Sequence, residues 1–217
     1  MTTRDKLLTA AAETLGSQGL TGVSARTIAA RAEVNQALVF YHFGSVSELL
    51  EATVRRSVDL AVESYRDRFA DVTTLGELLS VGRSLHEDEK RAGNVAQMAQ
   101  VMAGALRDET LAGAGRYAMD RWSAEIETAL VRVLPATPLA GLVDPAGLAR
   151  AIAAAFMGLE LYDGVDPDGV SSALTSLDAL GALVSALDAV PQVAIRAVRS
   201  RARKALARSA AVRAGAR

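Results

Sequence analysis

Three observations predict an all-α protein. Half of the 217 residues are hydrophobic but only four per cent are aromatic, and alanine supplies much of the rest, which suits closely packed helices. Apolar residues recur at three- and four-residue spacing along most of the chain, with neither strand-type alternation nor an internal repeat. Breakers such as Gly44-Ser45, Gly93-Asn94 and Pro135 to Gly141 fall between those periodic stretches.

Taken in order, Thr2 or Thr3 caps a first helix with Leu7, Leu8, Ala11 and Leu15 on one face, ended by Gly16 or Gly19. Ser24 caps a short second helix whose inward stripe is Ile28, Ala29 and Ala32. Glu33-Val34 makes a turn with Val34 as its apolar plug. Asn35 then caps a third helix whose first exposed side chains are Gln36 and Ala37. After Gly44-Ser45, Ser45 or Ser47 opens a helix to about Phe69, roughly 35 Å long. Leu50, Val54, Val58, Ala61, Tyr65 and Phe69 line its buried face, and it joins the small N-terminal unit to the body. Further helices are expected from Thr74 to about Lys90, from Val95 to Leu106, and from Glu109 to Leu134. The last of these carries the stripe Met119, Trp122, Ile126, Leu130 and Val133. Pro135, Pro138 and Gly141 mark a loop. Asp144-Pro145 opens a helix to about Tyr162, with aspartate as cap and proline in the first turn. Asp163-Gly164 and Asp166-Pro167 turn the chain into a last helix reaching about Val190.

Ser24 to Phe43 thus reads as helix, tight turn, helix. A helix-turn-helix has this form because its second helix presents its N-terminal residues to base edges in the major groove. Several positions here, Gly22-Val23-Ser24, Ile28-Ala29, Ala32-Glu33-Val34-Asn35, Tyr41-His42-Phe43 and Glu48-Leu49-Leu50, make the region from about Arg4 to Val58 resemble the N-terminal domain of TetR-type transcriptional regulators. The resemblance implies an N-terminal three-helix DNA-binding domain followed by a C-terminal helical domain for ligand binding and dimerisation. On that reading residues 1–46 form the first, 47–190 the second, and 191–217 a basic extension. It also implies that Arg26, Gln36, Ala37 and Leu38 face bases and that Tyr41 and His42 face the backbone; Ser24, Thr27 and Asn35 complete the DNA-binding set. The chemistry agrees: arginine pairs bidentately with guanine, glutamine with adenine, and alanine or leucine meets a thymine methyl. The duller reading makes Arg26 and Gln36 solvated helix residues. Family members usually carry glycine in place of Glu33, tyrosine in place of Phe40, and a phosphate-touching lysine in place of Val46. Those losses weaken backbone contact or shift it to Tyr41, Ser45 and Ser47.

Composition removes other classes. Without cysteine there is no disulfide, thiolate nucleophile or cysteine metal site, and His42 has only His86 as a possible partner, so neither metal nor cofactor is expected. The residues show no clustered nucleophile and base, so an enzyme is not expected. No uncharged apolar run approaches the ~18 residues of a membrane span, and the N-terminus becomes charged at Glu13 before a secretory core forms. The expectation is a cytoplasmic protein that does not engage a membrane. The net charge of −1 hides an asymmetry: residues 191–217 hold eight basic and no acidic side chains, leaving 16 basic against 25 acidic elsewhere.

The resemblance also implies a small-molecule pocket among the helices between Thr74 and Leu134. There His86, Gln97, Met98, Met102, Tyr117 and Trp122 offer soft apolar walls with a few polar anchors, though each reads equally as core. Ala149 to Leu161 and Val170 to Val190 are apolar on more than one face, which predicts a homodimer through a four-helix interface. The basic tail suits DNA phosphates, an anionic membrane, the acidic body or plain solvation. The expected function is a dimeric, ligand-responsive repressor that binds a palindromic double-stranded DNA operator and is released by an unidentified small-molecule effector. The alternative is a helical ligand- or partner-binding protein that has lost specific DNA binding.

Overall fold

The computed structural model describes residues 1–92, 94–187, 197, 199–204 and 208, and among these every regular element is helical. Helix α1 (Thr3–Gly22) starts on a reciprocal cap, with Asp5 N–H donating to Thr2 Oγ1 and Thr2 N–H to Asp5 Oδ2, both at 3.1 Å. Gly19, at φ 68°, kinks the helix where the sequence predicts its end. A further turn nevertheless runs to Gly22, and the Leu20 N–H beside the kink donates to the Gln100 side chain at 2.7 Å. Helices α2 (Ala25–Arg31) and α3 (Ala37–Phe43) lie against α1. Leu7, Leu8, Ile28, Val39 and Leu49 form the core of this head, with Val34 packed onto it as the expected plug.

Helix α4 (Val46–Ala70) leaves the head from a Ser45 cap, whose Oγ accepts Glu48 N–H at 3.1 Å. Its buried stripe runs through Val54, Val58, Val62, Tyr65 and Phe69. Val62 is fully buried where the sequence suggested Ala61, because the stripe drifts around the helix at 3.6 residues per turn. The body continues through α5 (Leu75–Ala92), α6 (Asn94–Ala105) and α7 (Glu109–Val133), each within two residues of its expected ends. Side-chain ties between α4 and α7 keep a nearly constant offset in sequence: 61 residues from Ser47 to Asp108, 58 from Asp59 to Tyr117 and 63 from Phe69 to Arg132. A constant offset means that the two helices run parallel and in register. Trp122 fills the distal part of their seam, its ring meeting Tyr65 and Phe69 edge-on or tilted.

Helix α8 (Pro145–Asp163) opens as the Asp-Pro signal predicts, Asp144 accepting Gly147 N–H at 2.8 Å. It packs on α7, while α9 (Pro167–Leu187) packs on α5, with Gly181 against Leu79 and Arg83 paired to Asp178. The expected end of α9 at Val190 lies outside the described residues. Leu161, Tyr162, Leu177, Leu180 and Leu183 are left facing outward. Part of the basic tail is not the free extension that its composition suggests. Arg199 donates to the carbonyls of Thr137 and Pro138 at 2.6 and 3.3 Å, holding the chain to the loop after α7, at the opposite end of α4 and α7 from the head. No described helix is long and apolar enough to cross a membrane.

Candidate nucleic-acid interface

Only seven residues long, α3 owes its position to one side chain. Val39 is fully buried, Leu38 and Phe43 are half-buried against the same core, and the rest of the helix faces outward. The helix begins at Ala37, and the Asn35 side chain still performs the capping expected of it: Oδ1 accepts Ala37 N–H at 2.8 Å. At the other end Gly44, at φ 81°, stops it. Gln36, Ala37, Phe40 and Tyr41 are exposed, so the face presented outward is the one that a recognition helix needs.

The preceding helix sets this face at its angle. Ser24 caps α2 through Thr27 N–H at 3.1 Å, and its hydroxyl also meets Thr27 Oγ1 at 2.7 Å, so both residues are occupied in holding the helix start. Arg26 is exposed on α2, whereas Arg31 turns back to α1, meeting Ser17 at 3.2 Å and Glu13 at 3.8 Å. Between the helices Glu33 adopts φ 55°, a left-handed conformation that costs a side-chain-bearing residue about 1–2 kcal/mol. The usual glycine of the resembling family thereby has a physical reason. His42 is half-buried, its ring edge-on to Tyr41 at 5.0 Å and 6.3 Å from Phe43, over which the Arg4 guanidinium lies at 5.1 Å.

Leu38 departs from its expected role, since it is shared between core and surface rather than turned fully outward. Ser45 and Ser47 are likewise spoken for: Ser45 caps α4, and Ser47 donates to Asp108 at 3.0 Å. Val46 packs on the head core, so an apolar contact stands where a cation would reach a phosphate. Phe40, about half exposed, puts an apolar ring on the outer face of α3.

Two contacts invisible in the sequence tie head to body. Gln100 of α6 holds Leu20, and Asp108, the cap of α7, holds Ser47. The Leu111 N–H and the Ser47 hydroxyl keep the Asp108 carboxyl below its ordinary range. Asp108 before Glu109 reads as a helix cap from sequence, but its second partner lies 61 residues away.

The six side chains expected around an effector are spread over the body. Met98 sits on the α1–α4–α7 cluster, and the Met102 sulfur lies beside Gly115. Tyr117 gives its hydroxyl to Asp59 at 2.7 Å with the Arg55 guanidinium 4.3 Å above its ring, and Trp122 is in the α4–α7 seam. His86 is buried against Glu160, and the Gln97 side chain lies outside the described residues. Neither the cleft of about 670 Å³ between α5 and α9 nor that of about 400 Å³ between α1 and α4 is lined by any of them. Among the described residues no three His, Asp or Glu side chains are grouped to hold a metal ion.

Residues 7–53 match the sequence profile described as bacterial regulatory proteins, tetR family. Similar solved structures include a putative TetR-family transcriptional regulator from Rhodococcus sp., at 23% identity and TM-score 0.69, covering 84% of this chain and 97% of that one. A putative transcriptional regulator from Streptomyces coelicolor A3(2) is similar at 22% identity and TM-score 0.66, covering 82% and 98%. The multidrug binding protein EbrR complexed with imidazole is similar at 26% identity and TM-score 0.56, covering 82% and 95%. Among curated proteins none matches. The matched stretch spans the head just described, and the similar structures extend the likeness of fold over the body: the chain belongs to the tetR family of bacterial regulatory proteins and is a DNA-binding transcriptional regulator, not an enzyme.

Proposed function

We propose that this regulator is a repressor that binds a palindromic operator as a homodimer and is released by a small molecule. The observation that carries the reading is the pair of ties from body to head, Gln100 to Leu20 and Ser47 to Asp108, which makes the position of α3 depend on the arrangement of α6 and α7. Arg26, Gln36 and Ala37 read bases, Leu38 and Phe40 add apolar contact, and Tyr41 and His42 set the register on the backbone, with Ser24, Thr27 and Asn35 holding the frame. Two copies joined through the outward leucines of α8 and α9 set two recognition helices about 34–36 Å apart, the spacing of successive major grooves. An effector that fits only one arrangement of the body shifts that spacing. The structure of EbrR with proflavin, like that with imidazole, supports a small-molecule effector for this fold.

The test is a mobility-shift and footprinting experiment on DNA upstream of the protein's own gene. A protected palindrome, lost on addition of a metabolite pool, is the expected result. No protection on any upstream fragment at low salt would overturn the reading.

A further inference from the structure

Away from the DNA-facing helix, buried charge gathers at one place. His86 and Lys90 lie one turn apart on α5, Glu160 and Asp163 three residues apart on α8, and the two sets face each other. His86 Nδ1 is 2.6 Å from Glu160 Oε1, and Lys90 Nζ lies 2.9 and 2.8 Å from the two oxygens of Asp163. His86 Nε2 is 3.8 Å from Asp163 Oδ1, too far for a hydrogen bond. Glu160 is 4% exposed, yet its Oε2 has no hydrogen-bond partner. Such an oxygen costs at least about 1–3 kcal/mol, and a purely structural network would be expected to satisfy both oxygens.

A second observation concerns space. Helix α8 packs on α7 and α5 on α9, but α5 and α8 meet chiefly through these polar side chains rather than by close backbone packing. Gly82 lies one turn before His86 on the same side of α5, and nothing stands within 4 Å of where a Cβ would be. A slot beside α5 therefore ends on a carboxylate oxygen that lacks a donor.

We propose that this slot receives the effector, and that the effector is a small organic cation whose N–H donates to Glu160 Oε2 while its apolar body lies along Gly82. The sign of the charge follows from the neighbours. Lys90 is engaged with Asp163, while burial and the carboxylates of Asp163 and Glu89 raise the Glu160 carboxyl above its ordinary range despite the opposing His86 contact. A cation relieves that repulsion, whereas a neutral donor satisfies only the hydrogen bond. The assignment rests on reading the body as effector-binding and is independent of DNA binding.

The test uses the full chain and reads binding directly, by calorimetry or by the fluorescence of Trp122, the chain's single tryptophan. The probes are 4-phenylbutylamine, its alcohol analogue 4-phenylbutanol, and proflavin, at neutral pH. The amine and proflavin should bind at least tenfold more tightly than the alcohol. Glu160→Gln, which keeps the side-chain shape, should weaken both cations tenfold or more and leave the alcohol unchanged. Gly82→Leu fills the slot without touching the charges and should block all three; it decides the matter should Glu160→Gln fail to fold. Equal affinity for amine and alcohol, no binding of either cation, or cation binding indifferent to both variants would each make the cluster a structural brace and overturn the proposal. Cation binding as expected by a protein that protects no operator would sink the repressor reading and leave this one standing.

Discussion

Leu180 and Leu183 are 58% and 61% exposed in the single chain, on the side of α9 turned away from α5. Full burial of a leucine is worth about 1.5–3 kcal/mol, so covering the exposed part of either is worth about 1–2. In a twofold interface each position counts twice, giving about 2–4 kcal/mol per position. Leu180→Ala should therefore raise the dimer dissociation constant by about 30- to 700-fold, and Leu183→Ala similarly. Leu180→Asp would bury an unpaired charge and should give monomer at every accessible concentration. Leu60, exposed to 63% but on α4, serves as the control whose replacement by alanine should leave assembly unchanged. Sedimentation equilibrium of the four variants over a range of concentrations makes the measurement. A Leu180→Asp protein that dimerises as tightly as the parent would refute both the interface and the area argument behind it.

Three other outcomes are expected. Replacing Arg26 or Gln36 with alanine should cost about 1–3 kcal/mol on the operator and little on scrambled duplex at the same salt; equal losses on both would remove them from base reading. Glu33→Gly relieves the left-handed φ of 55°, so thermal unfolding should move up by a few degrees, equivalent to about 1 kcal/mol; a lower midpoint would mean that the turn is unstrained. Because the folded protein holds the Asp108 carboxyl below its ordinary range, its contribution is complete above the unfolded value of about 4 and fades as pH falls through the lower folded value. Asp108→Ala should thus destabilise by about 1 kcal/mol at pH 7 and progressively less below pH 4, and a deficit independent of pH would exclude that linkage.

What the sequence made legible was local. Ser24, Ser45 and Asp144 each announce a helix start because a cap and its N–H partner lie within three residues, and each is found in that role. The spacing of Ile28, Ala29 and Val39 likewise sufficed to place the head core, since on a helix period alone sets the face. Partners distant in the chain stayed hidden. Glu160 stands in the apolar run AIAAAFMGLEL with nothing nearby to say that His86, 74 residues earlier, faces it. Tyr117 and Trp122 have the composition of a ligand wall, but their neighbours are decided by the register of α4 on α7, which neither segment records alone. The tail shows the same limit: arginine composition reads as solvated, and one guanidinium finding two loop carbonyls cannot be seen without the fold.

The parallel register of α4 and α7 has a mechanical consequence. Ser47 on Asp108 pins the pair at one end, and Arg132 on the carbonyls of Phe69 and Val72 pins it at the other. Sliding one helix past the other by a turn, about 5.4 Å, would break both pins at once, so the pair behaves as a beam clamped at its two ends. A clamped beam tilts rather than shears. Over about 36 Å of length, a sideways displacement of about 2 Å at the far end is a rotation of only about 3°, passed to the head without loss of register. Loosening either pin would turn that rigid rotation into local slack, and motion begun in the body would dissipate before it reached α3.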